Sequence, residues 1–430
     1  MKRKILVVSC APWRNDNSVG NSYTNIFGGI DNIEIAHIYC GNGVPNNNLV
    51  KRHFQINEKH IIKNIINKNN KVGIEINNSN NIETEKVDHI INNKGLFNFM
   101  RIYRFQMFFL IRDCIWGLNN WKSKELKSFV DNFQPDIIFA PFMDSKYLND
   151  MIIFLHEYTS KPVVVYAWDD VYTLKQFSLS PLYWINKLYQ RKKLRKVAKI
   201  SSSMYTISKL QQDEYSKIFS KDCNILYKGY EFNEYPKNNK ELNTPIQLVF
   251  TGNITSGRWK TLAKIGTALN KINKDNIKAQ LIIYTNSPIS NKIRKALDIK
   301  DSVLIKASVS NNEVAKIQQN ADILVHVESF NLKEKLQVRM SFSTKLVDYF
   351  NNARCIFAVG SKEVASIDYL INNDAAIVCT SEDEIEKKLN EVIQNPPLIN
   401  DYAIKSWECG KKNHQISKIQ EKLYNDLKSL

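Results

Sequence analysis

The chain has 430 residues, 43% of them hydrophobic, and 60 Lys and Arg against 43 Asp and Glu give it a formal net charge of +17. The length exceeds one average domain and suits two domains of about 200 residues each. The charge predicts an anionic partner: nucleic acid, an anionic membrane surface or a phosphorylated substrate. The seven cysteines lack CxxC spacing, which indicates neither a zinc ribbon nor a disulfide framework and favours reduced thiols in a cytoplasm.

The first ten residues have a basic start and only a short apolar run. This pattern predicts a first strand rather than a signal sequence. No window reaches the ~18 uninterrupted apolar residues of a membrane span. We therefore expect a cytoplasmic protein, with peripheral attachment to the inner face of the cell membrane left open.

Short apolar runs alternate with helical patterns in residues 1–240. Their hydrophobicity is continuous rather than alternating, which predicts strands covered on both faces and hence a parallel sheet. The predicted strands are Lys4–Ser9, Ile33–Tyr39, Asp136–Phe142, Pro162–Trp168 and Asn224–Tyr227. Residues 44–95 are rich in Asn and Lys and weakly patterned, and we interpret them as a surface excursion without a site.

A polar, proline-bounded stretch, 235–245, predicts a linker, after which the alternation begins again. The second set of predicted strands is Gln247–Thr251, Ala279–Tyr284, Ser302–Lys306, Asp322–Val327, Cys355–Val359 and Ala375–Cys379. Two such alternations predict an α/β protein with two doubly wound, Rossmann-like domains, 1–240 and 241–399, that face a central cleft. A last helix over 400–430 is expected to cross back to the first domain. Ligands of such folds bind at the carboxyl ends of the strands, which places the site in the cleft.

The predicted helix 343–350 carries the most chemistry. Its apolar face consists of Phe342, Leu346, Tyr349 and Phe350. Lys345 and Asp348 lie off that face, and Ser343 is a candidate N-cap. A lysine at a helix start favours a diphosphate, and a carboxylate one turn further on can accept both hydroxyls of a ribose. The alternative, favoured by spacing alone, is a surface ion pair on an ordinary core helix.

This strand, loop, Ser-Thr-Lys-x-x-Asp-Tyr helix and Gly-closed strand resemble the donor-site region of family-4 retaining glycosyltransferases, which have the GT-B fold. The family reads Glu, seven residues, Glu, or Ser-x-Lys-x-x-Glu-Tyr, and this chain is similar to the second form. It departs in having Asp348 for the usual Glu and Ala353 where Gly is common. Met340 stands where the first Glu of the longer form would be, so the usual contact of that Glu to the donor sugar is in question.

The second domain opens with a strand that runs into Gly252. A glycine there lets the backbone approach a phosphate, although such a glycine is common in any α/β protein. Family-4 enzymes often read Gly-Arg here, with a Lys five residues after the Arg, and both cations contact the donor diphosphate. The resemblance implies Gly252 and Arg258 at the diphosphate, with Asn253 in the position of the usual Arg. Lys260 is a nearby cation that we expect to be solvated.

The segment from Val303 to Val314 resembles the strand and turn of the family that meet the nucleobase, with Ala307 for the usual Gly. The implied contacts are made by the backbone and do not distinguish uracil from guanine. A strand–helix turn capped by Ser310 or Asn311 explains the same residues equally well.

Two places in the first domain resemble the acceptor side of the family. The polar loop after the first strand contains Gly20, which matches a glycine turn beneath the donor phosphates, although such a loop needs no function. Asp169 and Asp170 follow a buried strand that often ends in His-Asp or Asp-Asp in the family. These acids could orient the acceptor hydroxyl or accept its proton. The alternative is that Asp170 caps the following helix.

Two stretches, Gly95–Lys127 and Trp184–Lys199, combine basic and aromatic residues. Basic helices with aromatic residues fit anionic bilayer surfaces, and the alternative is a core helix with a solvated basic face. A nucleic-acid partner fits the charge, but the chain has no recognised motif for one, and we expect none.

The resemblance therefore implies a bacterial, polysaccharide- or capsule-type glycosyltransferase that uses a nucleotide-diphosphate sugar with retention. The expected acceptor is a hydroxyl of a glycan or of a polyprenyl-diphosphate-linked glycan, and neither a metal nor another cofactor is expected. The candidate catalytic residues are Asp169, Asp170, Arg258 and Lys345. The candidate donor-binding residues are Gly20, Gly252, Asn253, Arg258, Ala307, Ser343, Lys345 and Asp348. The alternative, motivated by Met340 and Asn253, is a GT-B-like assembly partner that binds nucleotide sugar or glycan without turnover.

Overall fold

The first half of the chain is built on one sheet. A computed structural model of the protein describes residues 2–77, 106–236 and 241–430. The strands of the first sheet are β1 Arg3–Ser9, β2 Ile33–Tyr39, β3 Arg52–Gln55, β4 Ile74–Asn77, β5 Ile137–Pro141, β6 Val163–Ala167, β7 Ser201–Thr206 and β8 Cys223–Ile225. Their order is β4–β3–β2–β1–β5–β6–β7–β8. All neighbours pair in parallel except β3 and β4, which are antiparallel.

Helices connect these strands. They are α1 Ser18–Phe27, α2 Glu58–Ile66, α3 Gln106–Gly117, α4 Lys124–Phe133, α5 Lys146–Thr159, α6 Pro181–Ile200 and α7 Lys209–Phe219. The strand order reverses direction between β1 and β5. In doubly wound sheets such a reversal opens a crevice at the carboxyl ends of the strands, where ligands bind.

The second domain repeats the arrangement. Its strands are β9 Ile246–Thr251, β10 Ala279–Thr285, β11 Val303–Ala307, β12 Ile323–Val327, β13 Cys355–Val359 and β14 Ile377–Cys379. Their order is β11–β10–β9–β12–β13–β14, and every pair is parallel. The helices between them are α8 Arg258–Ile272, α9 Asn291–Leu297, α10 Asn311–Asn320, α11 Leu332–Val338, α12 Lys345–Asn351, α13 Ala365–Asn372 and α14 Glu384–Gln394. Here the order reverses between β9 and β12.

The central strands are buried along their whole length. Every residue of β5, β6, β12 and β13 is buried. Helices cover both faces of such strands, so no face alternates with polar residues. Each fully buried Val, Leu, Ile or Phe contributes about 1.5–3 kcal/mol relative to exposure. The predicted parallel α/β architecture is therefore confirmed.

The interpretation of residues 44–95 as a surface excursion is wrong for its described part, 44–77. This part supplies β3, α2 and β4, and its side chains Phe54 and Ile61 lie in the core of the first domain. Two four-residue strands are too short to show a periodicity against the surrounding Asn and Lys. Residues 78–95 lie outside the described residues.

The end of the chain forms two helices rather than the one expected over 400–430; the first packs on the second domain, and the second returns to the first domain. They are α15 Pro396–Asn413 and α16 Ile416–Lys428. Between them, His414 O accepts from Tyr230 N (2.8 Å) and Ile416 N donates to Tyr230 O (3.0 Å), so the break is held by backbone bonds to another segment. Helix α16 packs against α1, and Gln420 Nε2 donates to Asn25 O at 2.8 Å.

Candidate functional site

Gly252 directly follows β9 at the reversal point of the second sheet. Its φ is +137°, a region that side chains rarely adopt, and a Cβ built on it would lie 1.7 Å from Lys345 Nζ. The same Nζ donates to Thr251 O at 3.1 Å. A glycine is therefore required here because the Lys345 ammonium lies directly against the backbone.

Lys345 is the first residue of α12. Burial and, after it, the charge of Arg258 lower its pKa, whereas Glu328 and Asp348 oppose the shift, and the net result is a pKa of about 8. This lysine is a cation that its surroundings only partly compensate, which is the state expected of a group that awaits an anion.

The start of α12 differs from the sequence prediction. The N-cap is Thr344, which has helical dihedral angles and makes no side-chain cap bond. Ser343 therefore does not cap the helix with its hydroxyl as predicted; its carbonyl oxygen accepts from Leu346 N at 3.0 Å. Ser343 and Thr344 form a turn that leads into the helix, and Thr344 lacks the extended backbone that is usual for an N-cap residue.

Arg258, the first residue of α8, forms a bidentate ion pair with Glu328 directly after β12. Arg258 Nε lies 3.1 Å from Glu328 Oε2 and Nη2 lies 2.9 Å from Oε1. Glu328 is only 4% exposed, and burial raises the pKa of its carboxyl, against the charges of Arg258 and Lys345. The pair orients a guanidinium that stays 24% exposed.

Glu328 was missed by the sequence analysis, although a signal existed. It follows a fully buried strand, as Asp169 does in the first domain. His326 lies beside it, and burial and the neighbouring Arg258 and Lys345 lower the histidine's pKa to about 3, so its ring is neutral. The charged groups of this cluster are therefore two cations and one carboxylate.

Asn253 is exposed, and its amide oxygen shapes the loop after β9. It accepts from Thr255 N at 2.7 Å and from Ser287 Oγ at 2.9 Å. Lys260, expected to be solvated, is exposed, with its Nζ 5.7 Å from the ring centre of Trp259.

Ala307 is the last residue of β11 and is exposed at the carboxyl edge of the sheet, paired with Thr285. Of the two alternative caps after it, Ser310 is the one used. Its hydroxyl accepts from Glu313 N, and the Glu313 carboxylate accepts from Ser310 N, which forms a capping box. This local structure accounts for the serine without a ligand.

Asp348 faces the first domain. Lys228, which follows β8, donates from Nζ to Asp348 Oδ1 at 2.6 Å, and both side chains are partly exposed. The acid predicted to hold a ribose is thus paired with a lysine from the other domain.

Asp169 and Asp170 have different surroundings. Asp169 Oδ1 accepts from Ser341 Oγ of the second domain at 2.6 Å. Protein atoms around this partly exposed carboxyl raise its pKa, the Ser341 bond opposes that shift, and the charges of Asp144 and Asp170 add to it.

The side chain of Asp170 is fully buried. It accepts from Thr173 N at 2.9 Å and from the Thr173 hydroxyl, and Arg339 Nη2 lies 3.6 Å away. It caps a turn rather than the following helix, because Ser180 is the N-cap of α6. These contacts give Asp170 a structural role, and Asp169 is the acid that faces the cleft.

The segment before α12 is docked onto the first domain. Arg339 Nη2 lies 3.0 Å from Glu214 Oε2, and Met340 O accepts from Ser208 Oγ at 2.6 Å. The Met340 side chain is buried in the core cluster of the first domain. The position at which the longer family form has its first Glu is therefore occupied here by a side chain of the first-domain core.

Gly20 lies in the first turn of α1 instead of an open loop. Its N donates to Asn17 Oδ1 at 2.7 Å, and a Cβ would lie 2.1 Å from Arg14 O. The absent side chain makes room for the Arg14 backbone, which explains the glycine by packing.

The described part of the basic stretch Gly95–Lys127 is buried at its tryptophans and exposed at Lys122 and Lys124. Trp116 and Trp121 are buried, and the Arg112 guanidinium lies 4.9 Å from the ring centre of Tyr147. Residues 95–105 lie outside the described residues. Within residues 2–77, 106–236 and 241–430, no three His, Cys, Asp or Glu side chains are grouped for a metal ion. No helix in these ranges is long and apolar enough to cross a membrane.

Solved structures share this architecture. HepE from Anabaena, crystallised with UDP, has a TM-score of 0.65 and 11% identity, with 100% of both chains covered. The fold is GT-B. WaaG, a glycosyltransferase involved in lipopolysaccharide biosynthesis, has a TM-score of 0.60 and 12% identity over 98% of this chain and 99% of its own. Sucrose-phosphate synthase from Thermosynechococcus elongatus has a TM-score of 0.62 and 10% identity over 100% of both chains. No protein-family model and no curated protein sequence matches the chain.

Proposed function

We propose that this protein is a glycosyltransferase that moves a sugar from a nucleotide-diphosphate donor to a hydroxyl of a glycan or lipid-linked glycan. One observation carries the proposal. Lys345 lies against the backbone of Gly252, with Arg258 near enough for its charge to lower the lysine's pKa, at the point where the strand order of the second sheet reverses. Doubly wound folds bind nucleotides at such points.

The chemistry of the donor explains these residues. When the bond from sugar to diphosphate breaks, negative charge develops on the departing oxygen, and preoriented cations stabilise it. Arg258 supplies a planar fork held by Glu328, and Lys345 supplies a buried ammonium. Because Lys345 loses part of its proton affinity to burial and to Arg258, a diphosphate between the two cations would restore it.

The remaining donor contacts follow from the same geometry. Asp348 is the proposed acceptor of the ribose hydroxyls. It would accept them either after its ion pair with Lys228 has opened or with the carboxylate oxygen that Lys228 does not bind. The backbone at the end of β11, around Ala307, is the proposed base contact. UDP is our first choice of nucleotide, because HepE is crystallised with UDP and with UDP-glucose.

On the acceptor side, Asp169 is the proposed hydroxyl contact. It ends the β6 segment and reaches the second domain at Ser341, so it lies on the border of the cleft. Its raised pKa suits a group that accepts a proton. Retention and a role in surface polysaccharide synthesis are proposed from the resemblance to family-4 enzymes at residues 343–349.

We also propose a cytoplasmic location. Its support is that all seven cysteines are free thiols.

A second candidate is a partner that binds nucleotide sugar or glycan without turnover. Met340 favours it, because its side chain lies in the core of the first domain and cannot make the polar contact to the donor sugar that the first Glu makes in the family. The two candidates differ in one measurement, since the binding partner takes up the donor but releases neither free sugar nor a glycoside.

The test is a panel of UDP-, GDP- and dTDP-sugars, followed by thermal shift and by release of labelled sugar. A ligand at 100 times its Kd stabilises the folded state by about 2.7 kcal/mol. We expect a shift and turnover with one nucleotide class, and loss of both in Arg258→Ala and Lys345→Ala. Lys260→Ala is the matched control because Lys260 is a cation nearby that is exposed over Trp259. Unchanged binding in the two site variants would show that the nucleotide lies elsewhere.

A further inference from the structure

Large apolar side chains are concentrated on one surface of the first domain. The loop before α6 and the first half of that helix expose Leu174, Phe177, Leu179, Leu182, Ile185, Leu188 and Tyr189. The exposed fraction is 89% for Leu179, 65% for Ile185 and 58% for Leu182. Single exposed apolar residues are ordinary, but a contiguous apolar patch marks an interaction surface.

Helix α6 places these residues on one side. An α-helix returns to the same face every three or four residues. The outward positions, which we call the α6 face, are apolar in the first turns and basic in the last turns: Leu182, Ile185, Leu188, Tyr189, Lys192, Arg195, Lys196 and Lys199. The opposite side is buried against the domain at Lys187, Gln190, Leu194, Val197 and Ala198.

The charge of the helix is one-sided. Residues 181–200 contain seven Lys or Arg and neither Asp nor Glu. Four of these cations have partners within the domain. Lys187 Nζ donates to Val171 O at 2.8 Å, and the Lys193 ammonium is paired with Asp150. Arg191 donates to Tyr172 O and Arg195 to the Tyr172 hydroxyl. The cations at the end of the α6 face are exposed.

We propose that the α6 face docks on an anionic lipid surface. An apolar stripe gains free energy by entering the boundary between headgroups and acyl chains, and basic residues beside it are attracted to anionic headgroups. Both requirements are met on one helix face by side chains that the fold leaves exposed.

A second copy of this chain fits the face less well. A two-fold interface sets the same patch against itself, and residues 181–200 of the second copy offer no acid to the basic turns of the first. Nucleic acid would neutralise the lysines but leave Leu182, Ile185 and Leu188 exposed to water.

The surface is coupled to the cleft. The loop 171–180 joins Asp169 and Asp170 to α6, and Arg191 holds it by donating to Tyr172 O, with its guanidinium 4.3 Å from the Tyr172 ring centre. Docking would therefore hold the Asp169 side of the cleft near the lipid surface. This inference goes beyond the proposed function and does not require it.

The experiment is co-sedimentation of the full chain with phosphatidylcholine vesicles, with and without phosphatidylglycerol. We expect binding only to the anionic vesicles. Raising the salt from about 0.1 M to 1 M shortens the screening length from about 10 to 3 Å and should weaken that binding strongly. Absence of sedimentation with anionic vesicles at low salt would overturn the proposal whatever the variants do.

Two variants separate the parts of the face. Lys192→Glu/Lys196→Glu/Lys199→Glu should lose at least roughly a hundredfold in affinity, since each basic side chain near an anionic surface contributes about fivefold and each added Glu is repelled. Leu182→Ser/Ile185→Ser/Leu188→Ser removes the apolar contribution to binding. This variant should therefore lose the part of vesicle binding that remains at high salt.

Matched controls lie elsewhere on the surface. Ile62→Ser/Ile65→Ser/Ile66→Ser removes three exposed isoleucines of α2, and Lys274→Glu/Lys278→Glu/Lys300→Glu reverses three exposed lysines of the second domain. Both should bind vesicles as the wild type does. Equal loss in these controls, or a dimer in sedimentation velocity that the serine variant of α6 dissolves, would overturn the proposal.

UDP binding should be unchanged in both α6 variants, because none of the altered residues belongs to the cleft. Failure of vesicle binding with intact UDP binding is thus distinguishable from failure of the proposed function.

Discussion

Arg258 and Glu328 form two hydrogen bonds, Nε to Oε2 at 3.1 Å and Nη2 to Oε1 at 2.9 Å, between the start of α8 and the end of β12. The carboxylate is buried, so its charge depends on the guanidinium. Arg258 therefore has two roles: it neutralises a buried carboxylate, which the stability of the fold requires, and it belongs to the proposed donor site. Substitutions can separate these two roles.

Arg258→Met should destabilise the protein by about 3–5 kcal/mol, because it leaves the Glu328 charge buried and unpaired. The double variant Arg258→Met/Glu328→Met should recover most of that loss and still fail to bind UDP. Urea denaturation with and without UDP measures both effects. UDP binding at the wild-type level in the double variant would contradict the assignment of Arg258.

The loss in Arg258→Met should also depend on pH. Burial raises the pKa of Glu328 in the folded protein, and removing Arg258 removes the charge that opposes this shift. The folded state then binds more protons than the unfolded state, so stability falls as pH rises through the folded pKa. We expect a smaller difference from wild type in acid than at neutral pH, measured by urea midpoints, with Arg258→Met/Glu328→Met showing no such trend.

Lys345→Met should make the free protein more stable while it abolishes the UDP-induced thermal shift. The pKa of Lys345 is lowered to about 8, so the folded state holds this charge at a cost at neutral pH. We expect a gain of about 1–2 kcal/mol, less than the full pKa shift implies because the bond to Thr251 is lost. Lys260→Met is the control and should change stability by no more than about 0.5 kcal/mol. A destabilised Lys345→Met that still binds UDP would point to a purely structural lysine.

The affinity for UDP should fall as pH rises above about 8. The diphosphate binds the charged form of Lys345, so deprotonation of the free protein competes with binding and each further pH unit weakens it by up to about tenfold. Calorimetry from neutral to alkaline pH measures the effect. Lys345→Met should bind weakly with a flat profile, and the same alkaline decline in that variant would assign the titration to another group.

Asp348→Ala should weaken UDP binding by about tenfold or more, as expected for lost hydrogen bonds to a charged group. Wild type should prefer UDP to 2′-deoxy-UDP, and the variant should not. Lys228→Met removes the competing cation and should leave the preference intact or enlarge it. If Asp348→Ala still prefers UDP to 2′-deoxy-UDP, this acid does not bind the ribose.

Transfer should continue in the presence of EDTA, because the proposed site stabilises the leaving diphosphate with Arg258 and Lys345. Labelled-sugar release with EDTA, with Mg²⁺ and with Mn²⁺ is the measurement. A strict requirement for a divalent ion would assign part of the charge stabilisation to a metal.

The sequence predicts the two parallel sheets because buried strands read as continuous apolar runs such as Val163–Ala167. It fails for β3 and β4, whose four residues are too few for a pattern, and for β7, which begins with three serines. In the candidate site, the sequence indicates Gly252, Arg258 and Lys345 because each lies just after a strand or at the start of a helix, and such positions can be recognised from the neighbouring residues alone.

The partners of those residues are not local. Glu328 lies 70 positions from Arg258 and Lys228 lies 120 positions from Asp348, and only the folded chain brings each pair together. The same holds for Asp170, whose burial under Arg339 depends on how the two domains meet.

Helix α16 has a consequence for how the protein is made. It packs on α1, with Gln420 bonded to Asn25 and the Tyr205 hydroxyl bonded to Asp426 at 2.7 Å. The first lobe is therefore completed by a segment that follows the whole second lobe in the chain. During translation its α1 surface stays uncovered while the whole second lobe emerges from the ribosome. A gene cut at the linker would yield a fragment of the first lobe whose α1 surface is uncovered. Adding a peptide of residues 416–428 should cover that surface.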